Sequence, residues 1–180
     1  MELPRFTYHL DPIGTGSVVA SDVTCRACGR ARGYVYAGSP YAEEELEGVI
    51  CPWCIADGTA AAQFEAEFVD AAGIGDYGNW ESVPDAVVEE VSRRTPGFIG
   101  WQQERWWTHC GDAAEFLGRA GRLELEGRWP EAIGAIRTEI GYDGDEWADY
   151  FSALDAEESP TAYVFRCRHC SAFGGYSDFD

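Results

Sequence analysis

The chain has 180 residues, with 13 Lys+Arg against 32 Asp+Glu and a formal net charge of −19. Apolar residues make up 46% and aromatics 14%, which excludes a disordered chain; a chain of this size buries about 70% of its unfolded surface, enough for a real core. The charge excludes general attachment to nucleic-acid phosphates or anionic membrane surfaces and favours solubility and basic partners. The longest uncharged stretches, Pro12 to Ser21 and Gly33 to Ala42, have ten residues each, half of the about 20 that a helical membrane span needs. The opening Met-Glu-Leu-Pro-Arg lacks the basic and apolar blocks of a secretory signal, so a cytoplasmic location is expected. Every cation is an arginine, which excludes a Schiff-base lysine and a P-loop of the GK[ST] type.

Residues 1 to 22 alternate Phe6, Tyr8 and Leu10 and then turn at Gly14 and Gly16, the pattern of an edge strand or an ordered arm. A double C-x-x-C lobe follows over 23–58. Inside it, Arg32 to Ala37 reads as a strand and Glu43 to Glu47 as an acidic helical turn. Thr59 to Ala71 reads as a helix, with Ala61, Phe64 and Phe68 on one face. Gly73 to Gly78 matches G-x-G-x-x-G by letter, but it follows an acidic helix and opens no amphipathic one, so it is not a nucleotide site. Ser82 with Asp85 resembles a capping box at the start of a helix carrying Val87, Val88 and Val91 and stopping at Thr95-Pro96.

Gly100 to Trp107 reads as extended chain whose aromatics pack on the helices. Asp112 to Gly118 reads as a short helix. Pro130 to Ile140 (Ile133, Ile136 and Ile140 inward) and Asp145 to Leu154 (Trp147, Tyr150, Phe151 and Leu154 inward) read as two more. Thr161 to Arg166 is a strand entering the last C-x-x-C, with Phe173 to Phe179 as its hairpin partner. The expected class is α+β: a zinc-ribbon-like double-knuckle lobe packed on a mixed domain, with a second knuckle at the C-terminus. One domain spans 1–180, with sub-lobes 23–58 and 161–180 plus Cys110.

The chemistry lies in seven cysteines, six of them in three C-x-x-C pairs. An odd count with no secretory signal argues against a disulfide framework. A C-x-x-C turn brings two sulfurs to one tetrahedral ion, and a second such turn completes the set, so Cys25, Cys28, Cys51 and Cys54 are expected to hold a structural Zn²⁺. Gly29 supplies a positive φ that turns amides toward sulfur. The alternative is a redox dithiol, since Cys51-Pro52-Trp53-Cys54 looks like that of a glutaredoxin; Asp57-Gly58 breaks the chain before the helix that such a dithiol needs.

Cys167 and Cys170 lack a matching pair. Cys110 is expected to reach them across the sheet and form a second metal site, with His109, His169, His9 or Asp112 as the fourth ligand. His169 sits inside its own knuckle loop, where the ring tends to point away. His109 and Cys110 face opposite ways in a strand and can ligate together only if the chain turns, as Gly111-Asp112 suggests. With three protein ligands an open position would remain, and His109 or Glu104 would then serve as base. The comparison with zinc deaminases is poor, because Asp112 stands where they carry Glu and no proline precedes the C-x-x-C.

The chain carries Leu3-Pro4-x-Phe6-x-Tyr8-His9-x-Asp11-Pro12, Cys25-x-x-Cys28-Gly29, Tyr41-x-x-Glu44 and Cys51-Pro52-x-Cys54-Ile55-x-x-Gly58-x-Ala60-Ala61. It continues with Arg94-Thr95-Pro96-Gly97-Phe98, Gly100-Trp101-Gln102, Trp106-x-Thr108-His109-Cys110 and Phe165-x-Cys167-x-His169-Cys170. In order and spacing these blocks resemble the CbrC family of bacterial proteins over nearly the whole chain. The resemblance implies a cytoplasmic bacterial protein connected with tolerance of colicins, with no established enzymatic activity and no catalytic residues to carry over. One departure is visible: Ala114 stands where some relatives carry a further cysteine, so no Cys110/Cys114 pair can form.

Three functions are expected in descending order. The first is a zinc-stabilised acidic binding protein with a basic protein partner, such as a toxin, a nucleic-acid-binding protein or a stress factor. The second is a thiol-based redox or zinc-sensing protein acting through Cys110 or the Cys51/Cys54 pair. The third is a zinc-dependent hydrolase on Cys110, Cys167 and Cys170.

Overall fold

The computed structural model describes residues 2–180; Met1 lies outside the described residues. Among these residues, three small antiparallel sheets and six short α-helices pack around three apolar cores. Residues 2–17 form an ordered arm with an isolated bridge at His9: the Phe116 amide donates to the Tyr8 carbonyl at 2.8 Å. Phe6 and Tyr8 are buried and Leu10 is exposed, because one peptide pairing at His9–Phe116 anchors the arm without setting up a ladder. Strands β1 (Val18–Ala20) and β2 (Tyr34–Tyr36) then pair in antiparallel register. The Tyr36 amide reaches the Ile50 carbonyl at 2.8 Å, which places Cys51 beside this ribbon. Glu43 to Glu47 makes bends and no helical turn.

The second C-x-x-C opens helix α1 (Pro52–Ala56), with Cys51 as its N-cap and Pro52 in the first turn, where a missing amide costs nothing. Helix α2 (Thr59–Phe64) follows. The expected single helix 59–71 is thus shorter, and a helix begins directly after Cys51. Glu65 leaves helical space at φ 51°, and Glu67 exchanges two backbone hydrogen bonds with Tyr41, at 2.8 and 3.0 Å. That long-range pairing overrides helix propensity, yet Phe68 still reaches the core it shares with the cysteines.

Helix α3 (Asp85–Arg94) starts at Asp85 without a side-chain cap, so the expected capping box does not form. It buries Val91 completely and stops at Thr95. Strands β3 (Thr108–His109) and β4 (Asp112–Ala113) form a tight hairpin that runs into β5 (Glu115–Ala120). The helix expected over 112–118 is therefore strand. Its apolar residues fit either period, and pairing with β6 decides the matter, with a bulge between Phe116 and Gly118.

Helix α4 (Arg122–Arg128) has little apolar pattern, since Leu123 is exposed and only Leu125 is buried. Helices α5 (Ile133–Ile140) and α6 (Gly144–Ala153) follow the expected periods, and α5 packs on β7. Strands β6 (Thr161–Arg166) and β7 (Phe173–Asp178) form the expected hairpin, giving the sheet order β5-β6-β7. This topology positions the C-terminal site. Glu115 pairs with Arg166, so the start of β5 lies against the end of β6 and the β3–β4 turn hangs over the last knuckle. No helix among the described residues is long and apolar enough to cross a membrane.

Candidate metal centres

The two knuckles are built alike. In the first, the Cys25 amide donates to the Arg30 carbonyl at 2.9 Å and the Gly29 amide to the Cys25 carbonyl at 2.8 Å. In the last, Cys167 donates to Ala172 at 2.8 Å and Ser171 to Cys167 at 3.1 Å. The residue after the second cysteine is left-handed in both, Gly29 at φ 66° and Ser171 at φ 60°. A side chain at Gly29 would meet no atom within 4 Å, so Gly29→Ala should cost the backbone penalty alone, about 1 kcal/mol. Ser171→Gly should recover a similar amount; urea unfolding of both variants checks the pair of signs.

In the first cluster the sulfurs of Cys25 and Cys54 stand 3.9 Å apart and those of Cys28 and Cys51 4.0 Å apart. All four lie within 4.8 Å of one another. A tetrahedral ion with metal–sulfur bonds of about 2.3 Å requires sulfurs about 3.8 Å apart, so this donor set fits a four-coordinate ion. The Cys51 amide donates to the Cys25 sulfur at 3.3 Å. Burial pushes the Cys25 thiol up, but the amides of Cys51, Cys28 and Ala27 outweigh it and bring the thiol down to about 7. Cys51, at the N-cap of a helix, is pushed by burial up to about 11. Leu46, Ile50, Ile55 and Phe68 surround the cluster.

The second cluster joins His109, Cys110, Cys167 and Cys170, again within 4.8 Å. Cys110 (φ 57°) and Gly111 (φ 69°) are the two turn residues between β3 and β4, the double left-handed geometry of a type I′ hairpin. That turn lets His109 and Cys110 face one point. His109 Nδ1 lies 3.3 Å from the Cys110 sulfur and 3.5 Å from that of Cys170, and the two sulfurs are 3.8 Å apart. Nitrogen and sulfur on one tetrahedral ion stand about 3.5 Å apart, so this set also fits. The His109 ring stacks on Trp107 at 5.1 Å, and Trp107 in turn covers Gly174, where any Cβ would clash with the indole at 2.2 Å. Burial raises the Cys167 thiol, while the Cys170 amide, the His109 ring and the His169 amide bring it down to about 6. Cys110, hydrogen-bonded to Cys170, is held up at about 11.

The other residues considered as fourth ligand are committed elsewhere. Asp112 accepts from Tyr8 Oη at 2.8 Å, its own neighbour Ala113 N at 2.9 Å, Arg168 at 2.7 Å and His169 Nε2 at 2.9 Å. It therefore ties the knuckle loop to the N-terminal arm and holds the His169 ring away from the sulfurs. Burial opposes the charge, but these donors prevail and keep its carboxyl below the usual value. Glu104, the alternative base, accepts from Tyr41 Oη at 2.9 Å and Asp70 N at 3.2 Å, and burial raises its carboxyl. The structural role of Asp112 has no signal in the sequence beyond its place after the Cys110-Gly111 turn.

His9 is fully buried, with Nδ1 2.8 Å from the Pro96 carbonyl and Nε2 2.7 Å from Thr15 Oγ1. A carbonyl only accepts, so Nδ1 carries the proton and Nε2 accepts from threonine. Burial lowers the ring to about 4. The unfolded chain takes up a proton below its ordinary value of 6.5, which the folded chain refuses until about 4. Stability from this residue is thus complete above that ordinary value and lost as pH falls towards the folded one, about 2 kcal/mol of it between pH 7 and pH 5. His9→Asn should remove this slope, measured by urea unfolding of both proteins with zinc in excess.

Fold and clusters together define a small α+β protein with two four-ligand, cysteine-rich sets that could each hold a metal ion. The uncharacterised protein family UPF0167 matches residues 3–179, and the chain belongs to that family. It is 50% identical to UPF0167 protein Mb2317 of Mycobacterium bovis, over 99% of this chain and 94% of the relative. It is 45% identical to UPF0167 protein PA1536 of Pseudomonas aeruginosa, over 93% of this chain and 92% of the relative. No solved structure matches the chain.

Proposed function

We propose that this is a cytoplasmic zinc protein with two ions, whose metal-stabilised acidic surface binds a basic protein partner. The observation that supports it is the pair of preformed sets with tetrahedral spacing, built on matching knuckles. Zinc is the metal that thiolate-rich tetrahedral sets of this kind favour, and four protein ligands per set suit a structural site better than an open catalytic one. His109 completes the second set, and Glu104, the remaining base, is occupied by Tyr41 and Asp70; both weigh against the hydrolase reading. When bound, the ions add roughly −2 at the Cys₄ set and −1 at the HisCys₃ set, deepening the charge of −19.

The tie to the CbrC family and to colicin tolerance is part of this proposal and makes cationic toxin domains the first partners to try. Elemental analysis of anaerobically purified protein should find two zinc ions per chain; a value near zero refutes the metal reading. Binding to purified colicin cytotoxic domains should weaken as salt rises. An absence of binding at low salt removes the toxin as partner while leaving the metal result intact.

A further inference from the structure

The two clusters differ in how they meet solvent. In the first, Cys25, Cys51 and Cys54 are buried and Cys28 is partly so. In the second, Cys110 and Cys170 are exposed and only Cys167 is buried. The two exposed sulfurs stand 3.8 Å apart. Cys110 sits at the tip of a two-residue turn, linked onward through Gly111, so a small hinge movement brings its sulfur to Cys170. Cys167 is less free: its sulfur accepts the His169 amide at 3.4 Å, and its own amide is paired with Ala172.

Resting on the zinc occupancy proposed above, we propose that the second cluster is a site of reversible oxidation, at which a peroxide joins Cys110 to Cys170 and frees the ion while the first cluster keeps its own. One exposed thiolate attacks a peroxide oxygen; the O–O bond breaks and the departing oxygen leaves as water after taking a proton. The other thiolate attacks the sulfenic sulfur so formed; the S–S bond closes and the second oxygen leaves as water with another proton. Two thiolates lose two electrons and the peroxide gains them. The ion is left with His109 and Cys167 alone, too few ligands to hold it. A thiol reductant and fresh zinc reverse the change. The first cluster is spared because a peroxide must reach sulfur, and there the sulfurs lie among Leu46, Ile50, Ile55 and Phe68.

The test titrates the full-length, zinc-loaded protein with hydrogen peroxide, following released zinc with a chromogenic chelator and mapping thiols by mass spectrometry. One of the two ions and two of the seven thiols should disappear together, with a mass loss of two hydrogens across the Cys110 and Cys170 peptides. Cys110→His, which keeps a four-ligand His₂Cys₂ set, should hold both ions and resist the same peroxide dose. Equal loss from both clusters, or a first disulfide within the 25/28/51/54 set or between Cys167 and Cys170, overturns the proposal. Should untreated protein carry fewer than two ions, the zinc reading fails by itself. The disulfide map still decides the oxidation site, upheld by Cys110–Cys170 as first pair and overturned by any other.

Discussion

Cys54→Ala should abolish the ion of the first cluster and unfold the core around it. The Cys54 sulfur is buried, and the core it belongs to also contains Phe6, Tyr36, Leu46, Ile50, Ile55 and Phe68. That core has no long helix or wide sheet of its own: it rests on a three-residue strand pair and two helices of five and six residues. Isolated elements this short do not persist in water. The proposed ion bridging 25/28 and 51/54 would hold them, its affinity becoming folding energy, on the order of 10 kcal/mol for structural zinc sites. Cys54→Ala should lose about 5 kcal/mol or more. Cys110→Ala, at an exposed turn, should lose an ion with a much smaller fall in stability. Thermal unfolding followed with zinc content checks both. A Cys54→Ala protein that retains two ions and melts with the wild type would show that the first cluster holds nothing together.

The second large effect is expected in the aromatic core, at Trp106, just before the second cluster's His109 and Cys110. Trp106 is fully buried, with Phe98, Phe116 and Phe165 around it at ring separations of 5.6, 6.1 and 5.7 Å. Its indole N–H donates to the Ala114 carbonyl at 2.9 Å, tying the chain before β3 to the chain before β5. The Gly75 and Trp106 amides also exchange hydrogen bonds with Trp106 and Gly73 carbonyls, both at 3.0 Å. Trp106→Ala should therefore cost about 4 kcal/mol from lost burial and cavity. Trp106→Phe should cost less, about 2 kcal/mol, part of it from the unpaired Ala114 carbonyl. Urea midpoints at constant zinc measure both, and a loss below that of the phenylalanine variant for alanine would mean that the cavity collapses.

Hydrophobic period marked α5 and α6, where Ile136 and Leu154 turn inward at helical spacing, and β6 and β7 were read as a hairpin flanking the last C-x-x-C. The three C-x-x-C pairs were legible for a similar reason, since two sulfurs three residues apart on a turn converge whatever surrounds them. The belonging of 25/28 with 51/54 also followed from spacing and an intervening strand. The sequence was silent wherever the deciding contact is distant. Residues 112–118 carry apolar spacing compatible with helix, and only the ladder to β6 makes them strand. Glu67 leaves the helical path because Tyr41, far back in the chain, pairs with its backbone. Helix α4 shows almost no pattern, since Leu125 alone is buried and Leu123 points to solvent.

The same division runs through the second metal set. Its thiols could be named from the sequence, but four groups competed for the fourth position. His9 is removed by a fold that seals it beside Pro96, and His169 and Asp112 are removed by holding each other. His109 is chosen because Cys110 and Gly111 take left-handed conformations that turn two neighbouring side chains onto one point, under a sheet register that hangs this turn over Cys167. Local sequence determines which groups can bind a metal, because ligand chemistry belongs to the side chain. Which of them converge was decided by tertiary structure alone, because convergence within a few ångströms depends on strand register and turn handedness that no single segment contains.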